Sequence, residues 1–186
     1  MTERPAETAA EVLGFWFAPE TEPLWFTGDA HFDARVRSAL LPAHERAAAG
    51  ELDSWLGSAE GALALILLLD QVPRNAFRGS PRAFATDAEA RAAARAALAR
   101  GFDLARPVRE RPFFYLPFEH AEDLDDQRLA VALFRERVGE GLYLDYAVRH
   151  LVVIERFGRF PHRNAVLGRE STEAERAWLA DHPQGF

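Results

Sequence analysis

Apolar residues recur along the chain at the three- and four-residue spacing of amphipathic helices, and no segment alternates apolar and polar residues as a half-buried strand does. A run through Leu69 that Ser58 can cap is apolar on every side, which is typical of a central buried helix. The same spacing predicts further helices over residues 6–18, 29–49, 118–138 and 142–157. With short loops between them, these segments predict an all-α fold of packed antiparallel helix pairs.

Residues that begin and end helices refine these boundaries. Thr86–Glu89 and Thr172–Glu175 have the spacing of a capping box, and Gly101 can close the helix that follows the first of them. Pro73 is expected to end the central helix. We predict a single helical domain over residues 1–186, with about seven to nine helices.

Composition narrows the classes of function. The 186 residues are 48% hydrophobic and 27% charged, an ordinary globular composition. Cysteine is absent, which excludes disulfides and thiolate chemistry, and all 22 cationic side chains are arginine, which excludes a Schiff-base or P-loop lysine. The net charge of -7 argues against a nucleic-acid partner.

The chain lacks the pattern of a signal peptide or a membrane span. Its first residues mix charges without an apolar run behind them. The longest uninterrupted apolar stretch, Ala62 to Leu69, is far shorter than the roughly 20 residues that cross a bilayer. We expect a cytoplasmic protein with no membrane partner.

Polar residues fall on faces that should be apolar. His150 lies at the centre of the apolar stripe over 142–157, and His120 and Gln127 lie within the stripe over 118–138. Asp70 ends the apolar run of the central helix, so its carboxylate is expected to be buried and either paired or protonated. These residues predict a polar cluster in the core, which is either functional or a set of hydrogen-bonded structural residues.

Charges are segregated along the chain. Residues 71–82 carry three arginines and no acid, residues 149–169 carry five arginines against Glu155, and residues 118–127 carry five acids and no base. One interpretation is that these segments form intramolecular ion pairs. The other is a cleft for a small anion, since the arginine fork matches carboxylate and phosphate groups.

One short pattern occurs twice after an apolar helix. Val72–Gly79 and Phe160–Gly168 both contain proline, then Arg-Asn-Ala, then glycine. The repetition reflects either a duplicated pair of helical hairpins or chance, because proline, asparagine and glycine are common in turns.

Motifs of known chemistry are missing. There is no His-Glu-x-x-His, no Gly-x-Ser-x-Gly, no phosphate-binding glycine loop and no dinucleotide fingerprint. Side chains of types that bind metals occur at Glu119, His120, Glu122, His150 and Asp70, but their spacing is not diagnostic. We therefore predict neither a metal nor a cofactor.

Three segments resemble the signatures of a bacterial family called domain of unknown function 924: Leu69–Gly79, Leu116–His120 and Phe157–Thr172. The resemblance covers nearly the whole chain. It implies an all-α fold similar to an array of tetratricopeptide-repeat hairpins, and it implies no activity, ligand or catalytic residue. Ala121 departs from the serine expected after Glu-His, which makes a hydroxyl at this position a poor candidate for chemistry.

Two hypotheses of function follow. In the first, an inward cleft binds a small anionic ligand, and whether it also catalyses a reaction is left open. For catalysis, His120 or His150 would be the acid or base, oriented by Asp70 or Glu119. The predicted ligand-binding residues are Arg74, Asn75, Arg78, Gln127, Arg159, His162, Arg163 and Asn164. In the second, the hairpins form a module that binds a protein or peptide, and the polar network is purely structural.

Overall fold

The structure, a computed structural model, describes residues 4–183 and 185. In these residues the secondary structure consists of eight α-helices joined by turns and short 3₁₀ segments, with no β-strand. The helices are α1 (Ala9–Trp16), α2 (Ala30–Ala48), α3 (Ala59–Ala76), α4 (Asp87–Ala99), α5 (Pro112–Glu119), α6 (Leu124–Arg137), α7 (Leu142–Phe157) and α8 (Glu173–Asp181). The all-α class and the predicted number of helices are confirmed. None of the helices in this part of the chain combines the length and the apolar character that a bilayer span requires.

The chain divides into two compact units, Met1–Phe114 and Tyr115–Phe186. The first unit contains α1 to α4, the second contains α6 to α8, and the boundary falls within α5. The single helical domain stays a prediction.

Helix α3 is the centre of the first unit. Every residue from Ala62 to Leu69 is buried, and α1, α2 and α4 all pack against this helix. Near the start of the chain, Trp16 and Trp25 stack with ring centroids 6.1 Å apart, and both rings meet Phe113 edge-on. The prediction of a central buried helix is confirmed, and these aromatic residues are buried and pack against one another.

Two predictions, for the end of α3 and for the start of α4, are wrong. The helix does not stop at Pro73 but continues to Ala76. Proline has no N–H to donate to the carbonyl four residues earlier, which is that of Leu69. The Thr86 hydroxyl donates to this carbonyl instead, at 2.6 Å. The backbone of Thr86, with φ -108° and ψ 15°, is not in the extended conformation of a capping residue, so Thr86 makes no capping hydrogen bond at the start of α4 and the predicted capping box does not form.

The second unit is built on the pairing of α6 with α7. Its hydrophobic core contains Val153, Ile154 and Phe160, with Trp178 of α8 packed against them. The predicted capping box at Thr172 is confirmed, since its hydroxyl and the Glu175 carboxylate accept from each other's backbone N–H groups.

The predicted helix over 118–138 is interrupted. Helix α5 ends at Glu119, and the Asp123 side chain caps α6 by accepting from the N–H groups of Asp125 and Asp126. The buried Gln127 amide donates to the carbonyls of Glu119 and Ala121, at the end of α5 and just after it. An aspartate that captures backbone N–H groups favours a helix start over a helix interior, which explains the break.

Candidate functional site

Three polar side chains of the second unit lie against the ring of Phe160, and a fourth, His120, lies beside one of them. We call the four the histidine cluster: His120, His150, His162 and Arg163. The rings of His150 and His162 lie 5.4 and 5.5 Å from the Phe160 ring, measured between centroids. The Arg163 guanidinium carbon lies 4.6 Å from the centre of the same ring, a cation–π contact. His120 lies 6.4 Å from the His150 ring. Three imidazoles and a guanidinium are therefore assembled in one place.

His150 is held in one orientation by two acceptors. Its Nδ1 lies 2.8 Å from the Tyr146 carbonyl, one turn earlier on α7, and 3.1 Å from Glu119 Oε1. Because both neighbours accept, we assign the ring proton to Nδ1, which leaves Nε2 as an acceptor in the neutral ring. The structure thus brings together the predicted acid or base, His150, and a predicted orienting carboxylate, Glu119.

The imidazoles of His150 and His162 are neutral at pH 7. Burial lowers the pKa of His150 to about 3, and the positive charges of nearby groups, Arg163 among them, act in the same direction. The Tyr146 carbonyl favours the charged ring, but burial is the larger effect. Burial, together with the charge of Arg163, also lowers the pKa of His162, to about 4. The cluster therefore offers uncharged imidazoles beside a charged guanidinium.

We expect the protein to lose stability when the pH falls from 7 to 5. An unfolded His150 takes up a proton near its ordinary pKa of 6.5, whereas the folded ring does so only near pH 3. Since the unfolded state binds more protons in this interval, this stability is present above pH 6.5 and is lost as the pH falls. The change between pH 7 and pH 5 is about 2 kcal/mol for this ring alone. Denaturant unfolding at the two pH values measures it.

The variant His150→Gln isolates this contribution, because an amide does not titrate. Between pH 7 and pH 5, the free energy of unfolding of this variant should change less than that of the parent, and the difference is the contribution of His150. The matched control is His31→Gln, at an exposed position near the start of α2, which should leave the pH dependence nearly unchanged. An equal pH dependence in the parent and His150→Gln would show that the ring is not kept neutral by burial.

Glu122 fixes the position of the turn that carries Phe160. Its carboxylate accepts from Arg169 at 2.6 and 2.9 Å and from the Phe160 N–H at 2.8 Å. Burial raises the pKa of Glu122, but these hydrogen bonds outweigh burial and the pKa is lowered. From the sequence, Glu122 is only a possible metal ligand, and Arg169 is not among the predicted site residues. The signal that pointed to them was the opposite charge of segments 118–127 and 149–169.

Two further predicted residues of this unit, Arg159 and Asn164, are used in structural contacts. Arg159 binds the buried Glu175 carboxylate through two hydrogen bonds of 2.6 and 2.8 Å. These bonds are the main reason why the pKa of Glu175 falls to about 2. The Asn164 amide donates to Ser171 at 3.0 Å. These contacts hold the segment after α7 against the start of α8.

In the first unit, the carboxylate of Asp70 is buried and paired, as predicted. Asp70 is 1% exposed, accepts from the Gln71 amide at 2.6 Å and lies 3.1 Å from Arg74. The same guanidinium lies 2.9 Å from Asp87. Arg74 therefore stands between two carboxylates of its own unit.

The predicted residues Asn75 and Arg78 share one carboxylate, that of the buried Asp33. Arg78 donates to Asp33 at 2.7 and 2.9 Å, and Asn75 donates to it at 2.8 Å. Asn75 and Asn164 belong to the two copies of the Arg-Asn-Ala pattern, and both amides donate to side-chain oxygens. These contacts agree with intramolecular ion pairing as the reason for the charge segregation.

The predicted site residues are thus distributed over both units. Those in the first unit are Asp70, Arg74, Asn75 and Arg78, and those in the second are Glu119, His120, Gln127, His150, Arg159, His162, Arg163 and Asn164. That all of these residues line one common cleft stays a prediction. A concavity of about 380 Å³ in the second unit is lined by residues from α6, α7 and the turn between them, not by the histidine cluster. Within the described residues, no group of three or more His, Cys, Asp or Glu side chains is arranged to hold a metal ion.

Comparisons with known proteins place the chain in a family. A solved structure, that of a protein of unknown function from Agrobacterium tumefaciens, is 48% identical and matches with a TM-score of 0.87, over 93% of this chain and 97% of that one. Among proteins with curated descriptions, none matches this chain. The model of the family described as a bacterial protein of unknown function, DUF924, matches residues 12–183. With nearly all of its length matched, the chain belongs to the DUF924 family of bacterial proteins.

Proposed function

We propose that the histidine cluster binds a small anionic ligand, such as a phosphate or a carboxylate. The observation that carries the proposal is that His150, His162 and Arg163 lie against the ring of Phe160, with His120 beside His150. Arg163 is 6% exposed, and a guanidinium removed from water binds an anion more strongly than one in bulk solvent does. The imidazoles add donors and acceptors that can orient the ligand.

Binding is better supported than catalysis. Glu119 and Tyr146 position the Nδ1–H of His150, which directs the basic Nε2 to the other side of the ring. A base with a pKa of about 3 is weak at pH 7, because efficient general bases have a pKa near the working pH. A bound anion would raise this pKa by favouring the imidazolium. Acid–base chemistry at His150 therefore depends on the ligand being bound first. The alternative function, a module that binds a protein or peptide, stays a prediction.

Thermal unfolding in the presence of inorganic phosphate, sulfate and citrate tests the proposal. A ligand at one hundred times its Kd stabilises the folded state by about 2.7 kcal/mol. For a chain of this size, each kcal/mol of stabilisation raises the Tm by roughly 2–4 °C. We expect at least one of these anions to raise the Tm by several degrees, and calorimetric titration then gives its Kd.

A histidine variant locates the binding. His162→Gln should weaken the binding of the responding anion by about tenfold, which is about 1.4 kcal/mol. His182→Gln, on the exposed end of α8 in the same unit, should leave the affinity unchanged. Absence of a response to all three anions, or equal affinity in His162→Gln and the parent, would refute the proposal.

A further inference from the structure

The outward face of α7 leaves apolar side chains exposed. Val148 and Val152, one helical turn apart, are 38% and 54% exposed. Asp145, Arg149 and Arg156 lie on the same face, because they follow the same three- and four-residue spacing, and all three are exposed. We call these five residues the α7 face. An apolar centre flanked by charges is the usual composition of a protein interface.

A concavity lies at one end of the α7 face. It has a volume of about 380 Å³, and its walls are Arg135, Glu140, Leu144, Asp145, Val148 and Arg149. The other end of the face, at Val152 and Arg156, lies outside this concavity. The helix thus carries a hollow lined by both acidic and basic side chains towards its N-terminus, and an exposed apolar and basic segment, the ridge, towards its C-terminus.

We propose that two copies of this chain associate through their α7 faces, with the two helices antiparallel about a two-fold axis. An axis between residues 150 and 151 places Asp145 opposite Arg156 of the second copy and Val152 opposite the second copy's Arg149. The ridge of each copy then enters the hollow of the other. A single helix can make this contact twice because its hollow and its ridge lie on opposite sides of the axis.

The distribution of charge favours a second copy over another partner. Asp145 and Arg156 are eleven positions apart on one helix, about 16 Å, which is too far for an ion pair within one chain. In the antiparallel pair, both carboxylates meet an arginine, so the same two residues form two ion pairs between chains. Val148 and Val152 lie between these ion pairs, where apolar surface is removed from water. The α7 face can therefore form two ion pairs with a second copy of itself.

One pair of helices makes a small interface, so we expect a dimer that dissociates in the micromolar range. Sedimentation velocity of the full chain from about 1 µM to about 500 µM should show a shift from monomer to dimer. Asp145→Arg and Arg156→Asp should each weaken the dimer by at least about tenfold, because each places like charges opposite one another. The double variant, Asp145→Arg with Arg156→Asp, restores both ion pairs in reverse and should recover the dimer.

The recovery separates an ion pair across the interface from a general effect of charge. Glu20→Arg, an exposed residue of the first unit, is the control for charge reversal and should not change the dimer. Circular dichroism checks that each variant is folded. A monomer at every concentration would overturn the proposal. So would a dimer that survives both single variants, or a double variant that remains monomeric.

Discussion

Arg74→Leu is expected to lower the free energy of unfolding by about 3–5 kcal/mol, because it removes the positive charge that two carboxylates share. The Arg74 side chain is 17% exposed, and Asp70 and Asp87 beside it are 1% and 14% exposed. Burial alone lowers the pKa of a guanidinium, yet the two carboxylates outweigh this effect and raise the pKa of Arg74. Leucine keeps much of the volume of the arginine stem, so the loss measures charge more than packing.

Denaturant unfolding of the parent and the variant gives this difference. Arg46→Leu is the matched control: Arg46 is 47% exposed and its partner Glu51 is 59% exposed, with 3.3 Å between them. An exposed pair of this kind contributes about 0–1 kcal/mol. Adding Asp70→Asn to Arg74→Leu removes one of the two carboxylate charges and should recover part of the lost stability. If Arg74→Leu costs no more than Arg46→Leu, the buried ion pairs do not stabilise the fold.

Gly61→Ala is expected to cost about 3 kcal/mol, the upper part of the range for overpacking. Gly61 lies in the first turn of α3, and a Cβ at this position would be 2.3 Å from the carbonyl oxygen of Trp55. The contact is with backbone, which cannot rotate away as a side chain does. The 3₁₀ segment Asp53–Gly57 would have to move away from α3.

The control is Gly14→Ala. Gly14 lies inside α1, and a Cβ there would meet no atom within 4 Å. Alanine is the better helix former by about 0.5–1 kcal/mol, so this variant should be slightly more stable than the parent. If Gly61→Ala lowers the free energy of unfolding and Gly14→Ala raises it, then close packing, and not helix propensity, requires glycine at position 61. A Gly61→Ala variant as stable as the parent would contradict the close approach of the two segments.

Local patterns predicted the helices well where one signal dominated. The apolar run of Ala62–Leu69 indicated a buried helix, and Thr172 with Glu175 indicated a helix start. Both signals act within one or two turns of the chain. The extension of α3 beyond Pro73 depends on Thr86, which is 17 residues away from the carbonyl it binds. A contact of that range is decided by tertiary packing, which helical spacing does not encode.

The candidate site shows the same limit. The apolar stripe of α7 placed His150 in the interior, and the structure puts Glu119 beside it. The arginine pairings could not be assigned from sequence, since the partners Asp33 and Arg78 are 45 residues apart. Segregated charge indicated that acidic and basic segments would meet, but several pairings satisfy the same balance of charge. Only the positions of the helices distinguish among them.

The hydrogen bond from Thr86 to Leu69 couples the choice of residue at two positions. The hydroxyl at 86 is needed because the residue at 73 has no N–H, so the two side chains are interdependent although neither touches a ligand. A residue with its own N–H at position 73 would restore the ordinary helical bond and allow many side chains at position 86. With proline retained, only a small donor such as serine or threonine suits that position. The effects of substitutions at positions 73 and 86 on stability are therefore not additive. A substitution made at one position alone would not show what the two positions tolerate together.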